Sequence, residues 1–230
     1  MEVEAKNLSM HFNDAGKEVR LFQNLSFTVA SGESLAIMGQ SGVGKTTLLY
    51  ILGGLEAPVS GDVVVGGQSY QALRETGDRF ATFRGSRIGF VFQFHNLLPE
   101  FDAVENVAMP LLIRGEPRKE TFEQAKELLV RVGLGERFHH RPGMLSGGEQ
   151  QRVAVARAIA ARPGVILADE PTGNLDQRTG AEVKDLLLQL QSEKRITLIL
   201  VTHSLTLAES MDRVVELTPS GMQKQAEKGK

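Results

Sequence analysis

The phosphate-binding pattern at residues 39–46 constrains the fold of this chain more than any other feature. It matches G-x-x-x-x-G-K-S/T and reads Gly39-Gln40-Ser41-Gly42-Val43-Gly44-Lys45-Thr46. Apolar residues 35–38 precede it, and an apolar stretch that begins after Thr47 follows it, which is the strand–loop–helix context that the pattern requires. Backbone N–H groups of such a loop bind the β- and γ-phosphates, while Lys45 neutralises them and the Thr46 hydroxyl ligates magnesium. The pattern predicts a nucleotide-binding α/β domain.

A second candidate phosphate site lies at a predicted helix start. Its residues are Leu145, Ser146, Gly147, Gly148, Glu149 and Gln150. Ser146 is placed to cap the helix, and Glu149 three residues later completes a capping box. The two glycines allow a ligand to approach the backbone closely, and the free N–H groups of a helix start attract phosphate. A capped helix without a ligand is the alternative, but the loop at residues 39–46 favours phosphate binding.

Two acidic residues, Asp169 and Glu170, follow the apolar residues 165–168. Such a run is typical of a strand that is buried on both faces of a parallel sheet. A carboxylate at the carboxyl end of that strand can hold magnesium beside the phosphate loop, and we assign this role to Asp169. Glu170 faces the other way and is the candidate to orient or deprotonate the attacking water. An ordinary loop start is the alternative, and Lys45 in the same chain favours catalysis.

Together these segments resemble the nucleotide-binding subunit of an ATP-binding cassette (ABC) transporter over essentially the whole chain. Residues 39–46 resemble its Walker A loop, residues 165–170 its Walker B strand and residues 145–150 its family signature. The resemblance implies one ABC nucleotide-binding domain, an ATPase that uses ATP and Mg²⁺. It also implies an α/β fold in which a P-loop core with a parallel sheet carries an antiparallel β layer and an inserted helical subdomain.

The resemblance assigns roles to residues that would mean little alone. Gln93 resembles the Q-loop glutamine, which contacts magnesium and water and responds to the membrane partner. His203 resembles the switch histidine, which contacts the γ-phosphate. The D-loop, which communicates across the dimer, corresponds to Asn174, Leu175 and Asp176. A lone Gln or His at a strand end is more often structural, and it is the ordered set that favours function.

Phe12 is the candidate for the aromatic residue, usually Tyr, that the family stacks on adenine. A Phe ring keeps the stacking and lacks only the hydroxyl. A plain core position is the alternative, because a Phe at the end of a strand is usually buried. Ser204 is a departure from the family, since many relatives have Asp after the switch histidine. This departure affects the local hydrogen bonding of His203 and leaves its role intact.

Hydrophobic patterns predict the elements of the core and of the insertion. Alternating residues near Val3, Phe27 and Val64 predict the antiparallel layer. The predicted strands of the parallel sheet end at Met38, Phe92, Ala168 and Val201, where ligands bind open α/β sheets. Helical spacing occurs at residues 183–190 and again at residues 122–132. Strand patterns disappear after Gln93, so we assign the core to residues 1–92 and 156–230 and the helical subdomain to residues 93–155.

Composition limits where the chain works. A net charge of −2 gives no attraction to nucleic acid, and the absence of cysteine excludes disulfides and thiol chemistry. No apolar run approaches the roughly 18 residues of a membrane span, and the start lacks the regions of a signal peptide. Any attachment to a membrane must therefore come through a partner, and the resemblance implies a peripheral protein that membrane subunits hold at the cytoplasmic face of the inner membrane.

A segment just beyond Gln93 indicates the branch of the family. Its apolar residues Leu97, Leu98 and Phe101 flank Pro99 and are difficult to bury in one short turn. An exposed apolar patch marks a partner site, so we expect a membrane subunit to dock here, although subdomain core is the alternative. The segment resembles the lipoprotein-releasing branch found in Gram-negative bacteria. The macrolide-efflux and cell-division branches match it less well.

The resemblance also implies partners and a working cycle. Two copies would pair head to tail, with ATP between Lys45 of one copy and Ser146 of the other. Hydrolysis would loosen this dimer and drive integral membrane permease subunits, which lift lipoproteins toward a periplasmic carrier. A nucleotide-gated regulator of cell division remains an alternative. A soluble ATPase acting on DNA or ribosomes is another, but such relatives carry coiled coils or two cassettes.

Overall fold

Two β-sheets and a set of helices make up the chain, which a computed structural model describes at residues 1–14, 17–77, 79–218 and 220–224. The strands are β1 (Val3–Asp14), β2 (Lys17–Val29), β3 (Ser34–Met38), β4 (Ser60–Val65), β5 (Gln68–Ser69), β6 (Ile88–Val91), β7 (Val165–Asp169), β8 (Thr197–Val201), β9 (Arg213–Thr218) and β10 (Gly221–Lys224). The helices are α1 (Lys45–Leu52), α2 (Tyr70–Arg74), α3 (Arg79–Arg87), α4 (Ala103–Ile113), α5 (Arg118–Arg131), α6 (Gly147–Ala160), α7 (Gln177–Lys194) and α8 (Leu205–Ala208), and a 3₁₀ turn spans Pro142–Met144.

The larger sheet has the strand order β10-β9-β3-β8-β7-β6. All its strands run parallel except β10, which pairs antiparallel with β9 at the edge. Strands β3, β7 and β8 are buried along their whole length, as their uninterrupted apolar sequences predict. The predicted ends at Met38 and Val201 are confirmed. The predicted end at Phe92 is one residue late, since β6 stops at Val91, and the predicted end at Ala168 is one residue early, since β7 runs to Asp169.

The smaller sheet is antiparallel and has the order β2-β1-β4-β5. Val3 of β1 pairs with Val29 of β2 on one side and with Val65 of β4 on the other. The predicted antiparallel layer is thus confirmed. The β1–β2 hairpin also extends far beyond the predicted apolar residues, and its distal half brings Phe12 toward the phosphate loop.

The chain between β6 and β7 forms the helical region. Asp102 begins α4 with a reciprocal capping box to Glu105. Helix α5 buries Ala125, Leu128 and Leu129 on one face, as the sequence pattern predicts. Helix α6 continues across the boundary at 155 and 156 that we assigned between subdomain and core, so the division remains a prediction.

Each face of the parallel sheet packs against its own apolar core. Alternation along β3 sends Ala36 and Met38 to the core shared with α4, α5, α6 and α7, and Leu35 and Ile37 to the core shared with α1 and the antiparallel sheet. This alternation fixes the sheet between two layers, with all parallel strands ending at one edge. Residues 225–230 of the predicted core segment lie outside the described residues. Among the described helices, none combines the length and apolar character needed to cross a membrane.

Candidate nucleotide-binding site

The phosphate loop connects β3 to α1 at the carboxyl edge of the parallel sheet. Gly44 caps α1 in the left-handed conformation, with φ of 101°, which a residue with a side chain adopts only with strain. No side chain caps α1, so the first N–H groups of this helix have no side-chain acceptor of their own chain. The local sequence therefore produces an anion-binding helix start.

Lys45 lies at the centre of the loop and is only 7% exposed. Its Nζ donates hydrogen bonds to the carbonyl oxygens of Gly39 at 2.8 Å and Gln40 at 2.9 Å. It also lies 3.3 Å from Nε2 of His203. Burial lowers the pKa of Lys45, and the charges of two neighbouring carboxylates act in the opposite direction. The loop thus holds a desolvated cation in place, which strengthens its attraction for phosphate.

Thr46 and Asp169 bring two oxygen ligands together, since the Thr46 hydroxyl donates to Oδ1 of Asp169 at 3.2 Å. Burial raises the pKa of Asp169, and the charge of Glu170 adds to this effect, whereas the Thr46 hydrogen bond opposes it. No group of three His, Cys, Asp or Glu side chains suited to a metal occurs among the described residues. One carboxylate, one hydroxyl and phosphate oxygens are a ligand set that Mg²⁺ accepts, so the residues fit a nucleotide-bound magnesium.

Glu170 directly follows β7 and has a positive φ of 42°. Its Oε2 accepts a hydrogen bond from the Thr202 hydroxyl at 3.0 Å. Its Oε1 is buried without a hydrogen-bond partner among the described residues and lies 3.6 Å from Nε2 of His203. A buried acceptor without a partner is costly, and such groups are typical of functional sites. The geometry leaves Oε1 free to accept a proton from a ligand.

A cleft of about 600 Å³ contains most of the predicted nucleotide-site residues. Lys45, Thr46, Gln93, Asp169, Glu170 and His203 all line it, together with Ser41, Gly42, Gly44, Thr47 and Phe12. Phe12 is 45% exposed, so it is not a plain core residue. The structure brings Phe12 to the same cleft as the phosphate loop, where a flat ligand can stack on its ring.

Gln93 and the D-loop are joined directly. The Asn174 side-chain amide donates to the Gln93 carbonyl at 3.1 Å. Asp176 caps α7 by accepting from the backbone N–H groups of Arg178 and Thr179, both at 3.1 Å, and from the Thr179 hydroxyl. These hydrogen bonds lower the pKa of Asp176, with the Thr179 hydroxyl contributing most. Asp176 is thus committed to holding the start of α7.

The predicted capping box of the signature is confirmed. Ser146 Oγ accepts from the Glu149 N–H at 3.3 Å, and the Ser146 N–H donates to Glu149 Oε2 at 2.8 Å. Arg137 holds the other oxygen of Glu149 at 2.9 Å. The Ser146 backbone and then the Arg137 guanidinium lower the pKa of Glu149 to about 2. None of the signature residues 145–150 lines the cleft that contains Lys45.

Gly148 has a structural reason to be glycine that the sequence did not reveal. A Cβ built on it would lie 2.1 Å from Cγ2 of Thr179, which belongs to α7. We attributed both signature glycines to close approach of a ligand. For Gly148 that reason is incomplete, because the close approach seen here is between α6 and α7. A Cβ on Gly147 would lie 3.6 Å from Leu175, an ordinary contact.

Comparison with known proteins decides the family. The family described as ABC transporter matches residues 22–173. The chain belongs to the ABC transporter family. It is 50% identical to the lipoprotein-releasing system ATP-binding protein LolD of Syntrophus aciditrophicus, over 94% of this chain and 96% of that protein. It is 49% identical to the LolD of Acinetobacter baylyi, over 94% of each chain.

Solved structures of ABC cassettes have the same fold. The ATP-binding cassette MJ0796, in a dimeric post-hydrolysis state bound to ADP and Pi, superposes with a TM-score of 0.89 at 37% sequence identity. The match covers 99% of both chains. A second dimeric structure of MJ0796, described as a bacterial ABC transporter cassette, matches equally well. The predicted family and fold class are therefore confirmed.

In this ABC cassette the predicted docking segment is only partly exposed. Leu98 is 37% exposed and Pro99 is exposed, but Leu97 is partly buried and packs against the helical core. Leu97 is therefore less exposed than expected, because it packs against the helical core, and its part in docking stays a prediction. Phe101 is also half-buried. The sequence reasoning missed Phe94, which is 72% exposed.

Sequence reasoning also missed three residues that line the cleft or contact predicted site residues. Thr202 holds Glu170, and its position immediately before His203 was the available signal. Leu21 lines the nucleotide cleft from the β1–β2 hairpin, and nothing in its local pattern distinguishes it from a core residue. Arg137 pairs with Glu149 across a turn that sequence spacing alone does not define.

Proposed function

We propose that this chain is the ATP-hydrolysing subunit of a transporter that releases lipoproteins from a bacterial inner membrane. The observation that carries the proposal is the meeting of Lys45, Asp169, Glu170 and His203 in one cleft with the phosphate loop. The lipoprotein-releasing relatives, which match over more than nine-tenths of the chain, support the substrate class. ATP is the nucleotide we assign to the cleft.

The phosphates are bound by the loop backbone and by Lys45. Thr46 and Asp169, with Gln93 at the cleft wall, would hold Mg²⁺. When bound, the ion would neutralise charge that develops on the phosphate oxygens. Lys45 releases its hydrogen bonds to Gly39 and Gln40, in part or whole, when it turns to the γ-phosphate.

Glu170 is the proposed general base. Its Oε1 is buried and has no hydrogen-bond partner among the described residues. This oxygen faces the ring of His203, whose Nε2 lies 3.6 Å away. Thr202 fixes the other oxygen, so the carboxylate cannot rotate freely. The attacking water would give its proton to Oε1, and the His203 ring would contact the γ-phosphate.

A second copy of the chain would complete the site. Signature residues 145–150 do not line the cleft of their own chain, although they form a helix start suited to phosphate. ATP would therefore lie between Lys45 of one copy and Ser146 of its partner. The dimeric MJ0796 cassettes, whose fold this chain shares, support such a pairing.

Membrane permease subunits are the proposed second class of partner, and lipoproteins the indirect substrate. The proposed docking segment lies just after Gln93 and consists of Leu97, Leu98, Pro99 and Phe101. Docking there would hold the chain peripherally at the cytoplasmic face of the inner membrane. The net charge of −2 supports no role in binding nucleic acid.

Replacing Glu170 tests the catalytic proposal. Glu170→Gln should lower kcat by about 10²–10⁴, the usual effect of removing a positioned base. It should still bind ATP, since the loop and Asp169 are unchanged. Glu123→Gln on α5 is the matched control, because its exposed carboxylate lies far from the cleft. Turnover close to wild type in Glu170→Gln would remove Glu170 from the base role.

The shared site can be tested by size-exclusion chromatography. Glu170→Gln with ATP and Mg²⁺ should elute as a dimer, because trapped nucleotide joins the copies. Adding Ser146→Arg should abolish that dimer and leave binding of a fluorescent nucleotide intact. A dimer that persists in the double variant would show that the signature is not at the interface.

Docking and substrate class are tested together with Leu98→Asp. Burial of such a side chain is worth about 1.5–3 kcal/mol, so complex formation with the membrane subunits should fall sharply. Lipoprotein release from spheroplasts should fail, and the ATPase activity of the isolated chain should persist. Val130→Asp, at an exposed apolar position of α5, is the control. Release that continues after docking is lost would favour the efflux or cell-division branch.

A further inference from the structure

Arg157 joins the signature helix to the turn that follows Gln93. It lies on α6, about three turns after the Ser146 cap of the same helix. Its Nη1 donates to the Asn96 carbonyl at 2.6 Å, and its Nη2 donates to the His95 carbonyl at 2.8 Å. One guanidinium group thus holds two consecutive carbonyl oxygens of the turn.

The turn held by Arg157 has an unfavourable backbone conformation. His95 and Asn96 have φ angles of 60° and 47°, both in the left-handed region. Residues with side chains enter this region at a cost and remain there only where their surroundings hold them. The hydrogen bonds from Arg157 supply such a constraint, because they reach both residues.

Arg157 does not act as an ion-pair partner. Among the described residues it forms no ion pair, and burial alone accounts for the lowering of its pKa. Partial burial of a cation costs desolvation free energy, and two neutral carbonyls compensate for it less well than a carboxylate would. Stabilising a helix surface alone would not require such an arrangement. The planar fork of Arg suits two adjacent acceptors in a way that the single ammonium of Lys does not. This geometry indicates positioning of the turn.

The turn is anchored at its other end as well. The Asn174 amide holds the carbonyl of Gln93, and the Gln93 side chain lines the nucleotide cleft. The sequence from Gln93 to Asn96 is therefore fixed between the D-loop and α6. Because a helix is rigid along its axis, a shift of this turn reaches Ser146 at the start of α6.

We propose that Arg157 is a positioning residue that makes α6 and the turn after Gln93 move as one body. A displacement of Gln93 in the cleft of its own copy is then accompanied by a displacement of Ser146, which lies against the nucleotide of the partner copy. This inference rests on the proposed function, since it requires the shared ATP site. Its consequence is that loss of Arg157 lowers turnover through Gln93 even though Arg157 touches neither nucleotide nor magnesium.

Arg157→Gln and Arg157→Lys are the test variants. In Arg157→Gln, kcat should fall roughly tenfold, the size of coupling found within one hydrogen-bonded network, while KM for ATP stays near wild type. Arg157→Lys keeps the charge and can donate to one of the two carbonyls, so its kcat should lie between that of the wild type and that of Arg157→Gln. Arg131→Gln, which removes an arginine and its ion pair with Glu193 on α5 and α7, is the matched control and should keep wild-type kcat.

A double-mutant cycle separates positioning from simple stability. If Arg157 acts through Gln93, the variant Gln93→Ala/Arg157→Gln should be no slower than Gln93→Ala alone. Thermal unfolding of all variants reports any general loss of structure, and the cycle is repeated with Arg157→Lys if Arg157→Gln does not fold. The inference would be overturned if the fold-losses of kcat in Gln93→Ala and Arg157→Gln multiplied in the double variant. It would also be overturned if kcat were unchanged in both Arg157 variants. A wild-type chain without ATPase activity would instead overturn the proposed function.

Discussion

Gly148→Ala perturbs one contact of the signature helix that the structure defines closely. The new Cβ would lie 2.1 Å from Cγ2 of Thr179, which is far inside van der Waals contact. Thr179 cannot rotate away cheaply, because its hydroxyl donates a hydrogen bond to Asp176 Oδ2 at 2.6 Å. The start of α6 must therefore move away from α7, or the Thr179 side chain must rotate and lose its hydrogen bond to Asp176.

The cost follows from these two routes. Overpacking a well-packed contact costs about 1–3 kcal/mol, and losing a hydrogen bond to a carboxylate costs about 1.5–3 kcal/mol. The gain in helix propensity from Gly to Ala offsets less than about 1 kcal/mol, because position 148 lies in the first turn. For a chain of this size, a net loss of about 1–3 kcal/mol lowers Tm by roughly 2–12 °C.

Thr179→Ser supplies the matched rescue. It removes the clashing methyl group and keeps the hydroxyl for Asp176, and the next atom, Cβ of residue 179, lies 3.5 Å from the added Cβ. Gly148→Ala/Thr179→Ser should therefore regain the Tm of Thr179→Ser alone. Calorimetry of the four proteins without nucleotide measures stability, and the ATP-dependent dimer in the Glu170→Gln background measures the site.

Two results would refute this reasoning. An unchanged Tm in Gly148→Ala would show that the helices separate without cost. A double variant no more stable than Gly148→Ala would place the cost somewhere other than the Thr179 methyl group. If stability returns but the ATP-dependent dimer does not, the Cβ obstructs the partner's nucleotide, and Gly148 serves both the helix contact and ligand approach.

Three further predictions concern charge and stacking. Because the pKa of Glu149 is lowered to about 2 in the folded chain, its stabilisation is fully present above its ordinary value of 4.5 and is lost as pH falls through about 2. Glu149→Gln should therefore lower Tm at pH 7, and by progressively less as the pH falls from 4.5 toward 2. Burial raises the pKa of Asp169, so the ionised carboxylate destabilises the fold at pH values above its ordinary pKa of 3.8. Asp169→Asn should therefore raise Tm at pH 7 and lose that advantage below pH 3.8, and it should abolish Mg²⁺-dependent hydrolysis. Phe12→Ala should weaken fluorescent-nucleotide binding by about 1–3 kcal/mol and Phe12→Tyr should not, whereas equal affinity of all three would exclude stacking.

Sequence patterns predict the fold well where a strand is buried on both of its faces. Runs such as residues 35–38 and 198–201 are apolar throughout, and only a strand covered on both faces suits them. The β1–β2 hairpin is different, because its distal half has one exposed face and no continuous alternation. Its length carries Phe12 to the cleft and Leu21 against Gly44 of the phosphate loop, and local propensity does not report such distant contacts.

The site shows the same division between local and distant information. The capping box of Ser146 and Glu149 is local, and the sequence predicts it completely. Thr179 packs against Gly148, and Arg157 donates a hydrogen bond to the Asn96 carbonyl. Both contacts join segments that are distant in the sequence, so spacing along the chain cannot identify them. The partial burial of Leu97 was missed for the same reason, since it depends on packing against the helical core.

The signature explains why a single chain leaves its own chemistry incomplete. Helix geometry leaves the first N–H groups of α6 without intrahelical acceptors, and those of Gly147 and Gly148 have none among the described residues. Glu149 beside them would repel an anion, but Arg137 pairs with its carboxylate at 2.9 Å and offsets that charge. The helix start is thus prepared for a phosphate that its own cleft does not bring to it, because residues 145–150 do not line that cleft. In the proposed dimer, a phosphate held by the Lys45 of a second copy would satisfy these donors, and turnover would then depend on the two copies coming together.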